Sequence, residues 1–337
     1  MAGVKERARK RLRHEVLVAR YKLRKRIERM DNPEVRNARK LLTAIRSEAP
    51  PDVVYVGDST ASFTAPGDVD KRSLAQMVDQ ALAAGSATSF SINGGSYHAE
   101  LIANYLRLLE TVVARPVLIV PLWIRGRYLP WIEHPVWGHQ QAMALLQTIT
   151  SSTPTRRVRG GFAAPASEAF SRYYALRYPT LLGDQSIGEY VRPLKDLARW
   201  HDDEDGRVRM LHGYHHGARL VPGSRELDAV RQLGSVIAKL GCPVVPYQTP
   251  VPVESGVGYF GTEFADLARE NFLTLEAAFR DGLGRDVEII QSGMIFPTAE
   301  FIDVAGADEH LNEVGRLRLT DLIVARVRAE LASGSVK

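Results

Sequence analysis

The sequence predicts an α/β fold built around a doubly wound parallel sheet. Short apolar runs typical of strands buried on both faces lie at residues 53–56 and 116–123, with a weaker one at 88–92. Helical patterns at 71–84 and 98–113 separate these runs, which start roughly 30 residues apart. Strands and helices that alternate in this way form parallel sheets with helices on both faces.

The first of these strands is the centre of the predicted fold. Its residues Val53–Val56 are followed by Gly57 and then by a small polar cluster, Asp58-Ser59-Thr60. This order places Ser59 at the C-terminal end of a central strand, where open α/β sheets bind their ligands. A second interpretation stays open, because aspartate, serine and threonine are also common N-cap residues of helices.

The second half of the chain resumes the same pattern. Strands are expected at 243–247 and 287–290, a helix at 262–279, and a last amphipathic helix that ends near residue 331. Between the third and fourth strands, residues 124–241 are rich in aromatic and turn residues. We expect a helical insertion there, in a catalytic domain of residues 50–337.

Composition bounds the class of protein. The chain has 337 residues, of which 45% are apolar and 25% are charged, as is usual for globular proteins. It has no apolar run of about 18 residues and no secretory signal pattern, so we expect a cytoplasmic protein. The one cysteine, Cys242, excludes an intramolecular disulfide and is expected in the core.

Residues 1–49 are predicted to form a basic, amphipathic helical arm. Residues 1–46 carry 16 Lys/Arg and 5 Asp/Glu, a net charge of +11, whereas the remaining chain has a net charge of −6. Apolar residues recur at helical spacing over 12–30, and a second helix is expected at 34–45. The arm could pack on the domain, pair with a second copy or lie on an anionic membrane. Nucleic-acid binding is a further alternative for a basic helix, but no recognised nucleic-acid motif accompanies the arm, so no nucleic-acid partner is predicted.

Two distant segments together predict a serine acyl-transfer site. Gly57-Asp58-Ser59 follows the first strand, and Asp308-Glu309-His310 precedes the last helix. Acyl transfer by serine needs a hydroxyl, an imidazole that takes its proton and a group that orients the imidazole. Both segments are expected at the same edge of the sheet, where they can converge.

These segments resemble the motifs of the SGNH/GDSL hydrolase superfamily, over about residues 52–123 and 243–333. The resemblance implies a flavodoxin-like three-layer α/β/α fold and ester hydrolysis or acyl transfer without a cofactor. It implies that Ser59 is the nucleophile and His310 the general base. The backbone N–H of Gly95 or Gly94, with that of Ser59, would form the oxyanion hole.

The chain departs from the family pattern at two positions. The family's acid usually lies three residues before the histidine, where this chain has Ala307; Asp308 is the nearest substitute, followed by Glu309 and Asp303. A Ser–His dyad is the alternative.

The family's third motif has an asparagine that donates to the oxyanion, and it is missing after the third strand. Arg125 or Asn93 could replace it. These departures leave room for an O-acyltransferase with a thioester donor as well as a hydrolase. A carbohydrate or glycoconjugate acyl ester is the expected substrate. The alternative is a catalytically degenerate protein that binds a glycan or a partner.

Two further patterns are weak. Gly256-Val-Gly258-Tyr-Phe-Gly261 fits a dinucleotide fingerprint but follows a proline-rich loop late in the sheet, so a flexible loop is expected instead. His212, His215 and His216 could ligate a metal or contact substrate, but the neighbouring Gly213 and Gly217 favour a surface loop over a helix.

Overall fold

The computed structural model describes residues 33–93, 99–124, 208, 212, 215–217, 219–220, 222–302, 307 and 309–334. Within these residues, one all-parallel sheet contains β1 (Val53–Gly57), β2 (Ser89–Asn93), β3 (Val117–Leu122) and β4 (Val244–Gln248). The strand order is β2-β1-β3-β4, so β1 has a neighbour on each side. The predicted α/β class and the central first strand are confirmed.

Helices cover both faces of this sheet. They are α1 (Pro33–Ile45), α2 (Ser59–Ser62), α3 (Leu74–Ala83), α4 (Ala99–Arg107), α5 (Arg225–Leu240), α6 (Val253–Phe260), α7 (Thr262–Leu283) and α8 (Glu313–Ala332). Two short 3₁₀ turns, Leu108–Thr111 and Thr298–Glu300, complete the described elements.

Alternate residues of β1 belong to two different hydrophobic clusters. Val54 and Val56 pack in the cluster that contains α1, α4, α5 and α7. Val53 and Tyr55 pack in the cluster that contains α3 and α8. Since all five residues of β1 are buried, this strand has helices above and below it.

The sheet brings two strand ends to one edge. In the pairing of β1 with β2, Gly57 is the register partner of Asn93, and each residue is the last of its strand. Ser59 begins α2 two residues beyond Gly57, so it lies at the C-terminal edge of the sheet. This is the edge at which parallel α/β sheets bind ligands.

The strand expected at 287–290 contributes only a single bridge to the sheet. Ile290 pairs in parallel with Tyr247, and Ile290 N donates to Pro246 O at 3.0 Å. Earlier in the segment the carbonyl of Val287 accepts from Arg280 Nε, at 3.3 Å, rather than from a neighbouring strand. The segment 287–290 therefore pairs with β4 only at its last residue, Ile290.

The glycines of the dinucleotide-like pattern lie in and after a helix, so the expectation of a flexible loop was wrong. Gly256 is a buried residue of α6, and a Cβ there would lie 2.2 Å from the Phe264 ring. Gly261 joins α6 to α7 with φ = 70°, a conformation that favours glycine. These two glycines serve helix packing and a tight turn.

The remaining predictions divide between described and undescribed residues. The arm helix at 12–30 and most of the insertion lie outside the described ranges, whereas α1 packs on the domain through Ala38, Leu41 and Ile45. Helix α5, which falls within the range predicted for the insertion, packs in the same layer as α4 and α7. Cys242 is fully buried, as predicted, and burial raises the pKa of its thiol to about 11. Among the described helices, none has the length and apolarity to cross a bilayer.

Candidate functional site

Ser59 is positioned by its immediate neighbours in the sequence. After β1 ends at Gly57, Asp58 caps α2: its Oδ1 accepts from Thr60 N at 2.8 Å and from Thr60 Oγ1 at 2.6 Å. A Cβ on Gly57 would lie 2.5 Å from the Cβ of Ala61, so glycine allows strand and helix to meet closely. Asp58 is therefore an N-cap, as the second interpretation proposed, and the turn it caps presents the partly buried Ser59.

His310 meets Ser59 from the other end of the chain. His310 Nε2 lies 3.2 Å from Ser59 Oγ, although 251 positions separate the two residues. The ring of Phe63 stacks on the His310 ring with a centroid distance of 4.6 Å and an interplanar angle of 28°. The imidazole and the hydroxyl are thus within reach of a proton transfer between Nε2 and Oγ.

The backbone on the C-terminal side of His310 is held by a short antiparallel contact. Phe301 and Leu311 form a bridge, and Ile302 N donates to His310 O at 2.9 Å. Asn312 then caps α8, its Oδ1 accepting from Val314 N at 3.1 Å and from the next residue's N–H at 3.2 Å. His310 thus directly precedes a bridge and a helix start, which together fix the backbone that follows it.

A buried arginine joins the segment after α2 to the segment after His310. Arg316, 1% exposed, donates from Nη1 to Asp68 Oδ2 at 2.8 Å and to Leu311 O at 2.9 Å. Its Nε and Nη2 donate to the carbonyls of Arg72 and Asp70. Burial alone would raise the pKa of Asp68, but hydrogen bonds from Arg316 and from the Ala65 N–H hold it below its ordinary value.

A second buried polar contact lies just before His310. Glu309 is fully buried, and its Oε1 is 3.9 Å from His216 Nδ1. The other ring nitrogen of His216, Nε2, lies 3.1 Å from the carbonyl oxygen of Ala307. Ala307 itself has φ = 50°, which costs an L residue roughly 1–3 kcal/mol.

Two tyrosine hydroxyls lie buried near the site. Tyr55 and Tyr247 share a hydrogen bond of 2.7 Å. Burial raises the pKa of each well above its ordinary value, and the nearby charge of Asp58 adds to both shifts. Both phenols therefore stay protonated in neutral solution, which keeps charge out of the core behind Ser59.

Several predicted site residues lie outside the described ranges. They are Gly94, Gly95, Arg125, Asp303 and Asp308, and their assignments remain predictions. Asn93 ends β2 beside the end of β1, which brings its backbone to the edge where Ser59 lies. The described residues that follow β3, Trp123 and Ile124, are fully buried apolar side chains.

The three histidines of the insertion are buried, so the expected surface loop was wrong. His212, His215 and His216 are 0%, 7% and 1% exposed, and the backbone at all three positions is helical. His212 Nε2 lies 2.9 Å from Ser255 Oγ, and burial lowers the pKa of His212 to about 4. Within the described part of the chain, no three His, Cys, Asp or Glu side chains are arranged to hold a metal ion.

Sequence reasoning missed Phe63 and Arg316, and it assigned His216 other roles, as a metal ligand, a substrate contact or a surface residue. Phe63 carries a usable signal, since it lies four residues after Ser59. Arg316 and His216 carry none, because an arginine in a basic helix and a histidine between glycines both resemble surface residues. Their roles depend on contacts that only the folded chain creates.

Comparisons with protein-family models, with curated proteins and with solved structures found no match. Any functional assignment must therefore follow from the geometry around Ser59 and His310.

Proposed function

We propose that the protein is a serine esterase or O-acyltransferase of the SGNH type, with Ser59 as nucleophile and His310 as general base. The observation that carries this proposal is the distance of 3.2 Å between Ser59 Oγ and His310 Nε2. Hydroxyl and imidazole are within hydrogen-bond reach at the C-terminal edge of a parallel sheet, the geometry that activates a serine.

The reaction follows from this pair. Ser59 Oγ attacks the carbonyl carbon of an acyl ester while its proton passes to His310 Nε2. The tetrahedral intermediate then collapses: the bond to the leaving oxygen or sulfur breaks, and His310 gives it the proton. Water or an acceptor hydroxyl attacks the acyl-enzyme and loses its proton to His310. The bond between Ser59 Oγ and the acyl carbon then breaks, and Oγ takes that proton back from His310, which regenerates the enzyme.

The fold supports the family assignment. The strand order β2-β1-β3-β4, extended at β4 by the parallel bridge at Ile290, agrees with the flavodoxin-like order. Helices on both faces agree with a three-layer α/β/α arrangement. We infer that this chain has that fold, with Ser59 after the first strand and His310 before the last helix.

The acid of the triad is proposed to be Asp308. Glu309, its neighbour, is fully buried, and its Oε1 lies 3.9 Å from His216 Nδ1, so its carboxylate faces the imidazole of a different histidine. This contact favours Asp308 over Glu309 as the group that orients His310. The backbone N–H groups of Ser59 and Gly95 or Gly94 are proposed as oxyanion donors, with Asn93 and Arg125 as candidate side-chain donors.

The substrate proposed from the resemblance is an acyl ester of a carbohydrate or glycoconjugate, with a thioester donor if the enzyme is a transferase. Phe63 supports an acyl substrate, because its ring covers one face of His310 and remains 45% exposed.

Helix α1 exposes Arg36, Arg39 and Lys40 while it packs through its apolar face. This basic face suits a peripheral contact with an anionic membrane.

Turnover of short- and medium-chain p-nitrophenyl esters tests the proposal. Ser59→Ala should lower kcat by about 10⁴-fold or more, because the nucleophile is lost. His310→Ala should lower it by about 10²–10⁴-fold, because the proton acceptor is lost. Ser62→Ala is the matched control, since Ser62 is an exposed serine of the same short helix, and it should keep wild-type activity.

Two outcomes would contradict the proposal. One is wild-type turnover that survives Ser59→Ala. The other is no turnover and no labelling by a fluorophosphonate, which would instead favour the catalytically degenerate protein that binds a glycan or a partner.

A further inference from the structure

One buried histidine outside the Ser59–His310 pair contacts the loop that carries His310. His216 lies 1% exposed, and both of its ring nitrogens face that loop. Nε2 lies 3.1 Å from Ala307 O, and Nδ1 lies 3.9 Å from Glu309 Oε1. Because a carbonyl oxygen only accepts, Nε2 carries a proton and donates to Ala307.

The backbone at Ala307 needs such a contact. Its φ of 50° lies in the left-handed region, which residues with a Cβ seldom adopt and which persists only where surrounding contacts hold it. The carbonyl of His310, three residues after Ala307, accepts a hydrogen bond from the Ile302 N–H at 2.9 Å. The backbone that leads into His310 is therefore held at two points, at Ala307 by His216 and at His310 itself by Ile302.

We propose that His216 is a positioning residue for His310: it holds the backbone at Ala307 and the side chain of Glu309 so that the His310 ring reaches Ser59. This inference rests on the proposed function. The distance from His310 Nε2 to Ser59 Oγ is 3.2 Å, so even a small displacement of the His310 ring would break this hydrogen bond. A misplacement of about 1 Å at a reacting group costs about 10²-fold in rate.

The chain provides a matched control in the same segment. His212 is as deeply buried as His216, and it also makes a hydrogen-bond contact through Nε2. Its partner, however, is Ser255 Oγ of α6 rather than the loop before His310. Replacement of either histidine should perturb the core to a similar extent, but only replacement of His216 should displace His310.

The experiment compares His216→Phe, His216→Gln and His212→Phe by kcat, KM and thermal unfolding. His216→Phe should lower kcat by about 10²-fold, with KM changed less than about threefold, because the base is misplaced. His216→Gln keeps a side-chain N–H donor and should recover at least about tenfold of that loss. His212→Phe should lower the unfolding temperature by a similar amount and retain kcat within about threefold.

A second readout makes the test independent of turnover. The ring ¹⁵N and ¹H signals of His310, assigned with His310→Ala, should shift in His216→Phe and stay unchanged in His212→Phe. Wild-type kcat and an unchanged His310 signal in His216→Phe would overturn the positioning role, as would equal losses of kcat in both phenylalanine variants. If the wild type neither turns over esters nor labels at Ser59, the proposed function fails. In that case the NMR signal of His310 is the readout that decides whether His216 positions His310.

Discussion

The two halves of the candidate site are built by different kinds of interaction. Ser59 is positioned by residues next to it, since Gly57 ends the strand and the Asp58 side chain starts α2 through two hydrogen bonds to Thr60. His310 is positioned by contacts with separate segments of the chain. Ile302 holds its backbone, and Arg316 ties the following residue, Leu311, to Arg72, which lies 244 positions before Arg316.

This difference predicts where each half is vulnerable. The serine side depends on the close approach of one strand to one helical turn, so changes of small volume should disturb it. The histidine side depends on a few buried charged and polar side chains, so loss of one partner should leave another buried group without its ion pair.

Replacement of Arg316 should have the largest effect on stability. Arg316→Met keeps much of the side-chain volume but removes the ion pair with the nearly buried Asp68 and three hydrogen bonds to backbone carbonyls. Breaking a buried pair in this way costs about 3–5 kcal/mol, measured as the free energy of unfolding in urea.

Arg326→Met is the control for this prediction. Arg326 belongs to the same helix, but its partners Glu288 and Glu330 lie nearer the surface. Loss of such a surface pair costs about 1 kcal/mol or less. Equal losses in the two variants would contradict the role of Arg316 as a buried link between the two halves.

A methyl group added at Gly57 should disturb the serine side. In Gly57→Ala the new Cβ would lie 2.5 Å from the Ala61 Cβ, so α2 must move and carry Ser59 with it. We expect a loss of about 1–3 kcal/mol in unfolding free energy. Ester turnover should also fall, by more than the increase in unfolded protein accounts for. Gly67→Ala, at a glycine with no atom within 4 Å of its added Cβ, should change neither.

The smallest effect is an acid dependence of stability through Asp68. The pKa of its carboxyl is lowered in the folded protein, so ionised Asp68 stabilises the fold at neutral pH. That contribution should decline as the pH falls below about 4, the ordinary range of an aspartate. Urea unfolding from pH 7 to pH 2 should show a weaker acid dependence for Asp68→Asn than for wild type. An unchanged profile would contradict the assignment.

The sequence predicted the serine side better than the histidine side, and the reason is physical. Four apolar residues before Gly57 specify a buried strand, and the polar residues after it specify a helix start; both signals are local. The positions of strands β1 to β4 followed from the same kind of signal. The alternation of strands and helices was sufficient to predict the parallel sheet.

The errors occurred where tertiary contacts override local patterns. Glycines around His212 and His216 favoured a surface loop, yet both rings are buried. His216 Nε2 lies 3.1 Å from Ala307 O, and His212 Nε2 lies 2.9 Å from Ser255 Oγ. Gly256 favoured a loop, yet it lies in α6 because the helix packs closely on Phe264. No local pattern encodes these partners, which are separated from them by up to 91 positions.

The central claim is that Ser59 is a nucleophile activated by His310, and its most direct test is covalent labelling with site mapping. The wild-type protein is treated with a fluorophosphonate, digested and analysed by mass spectrometry, beside His310→Ala and Ser62→Ala. We expect the label on Ser59 alone, at a rate unchanged in Ser62→Ala and reduced by about 10²-fold or more in His310→Ala. Absence of label, label on another residue, or an equal labelling rate in His310→Ala would contradict the account.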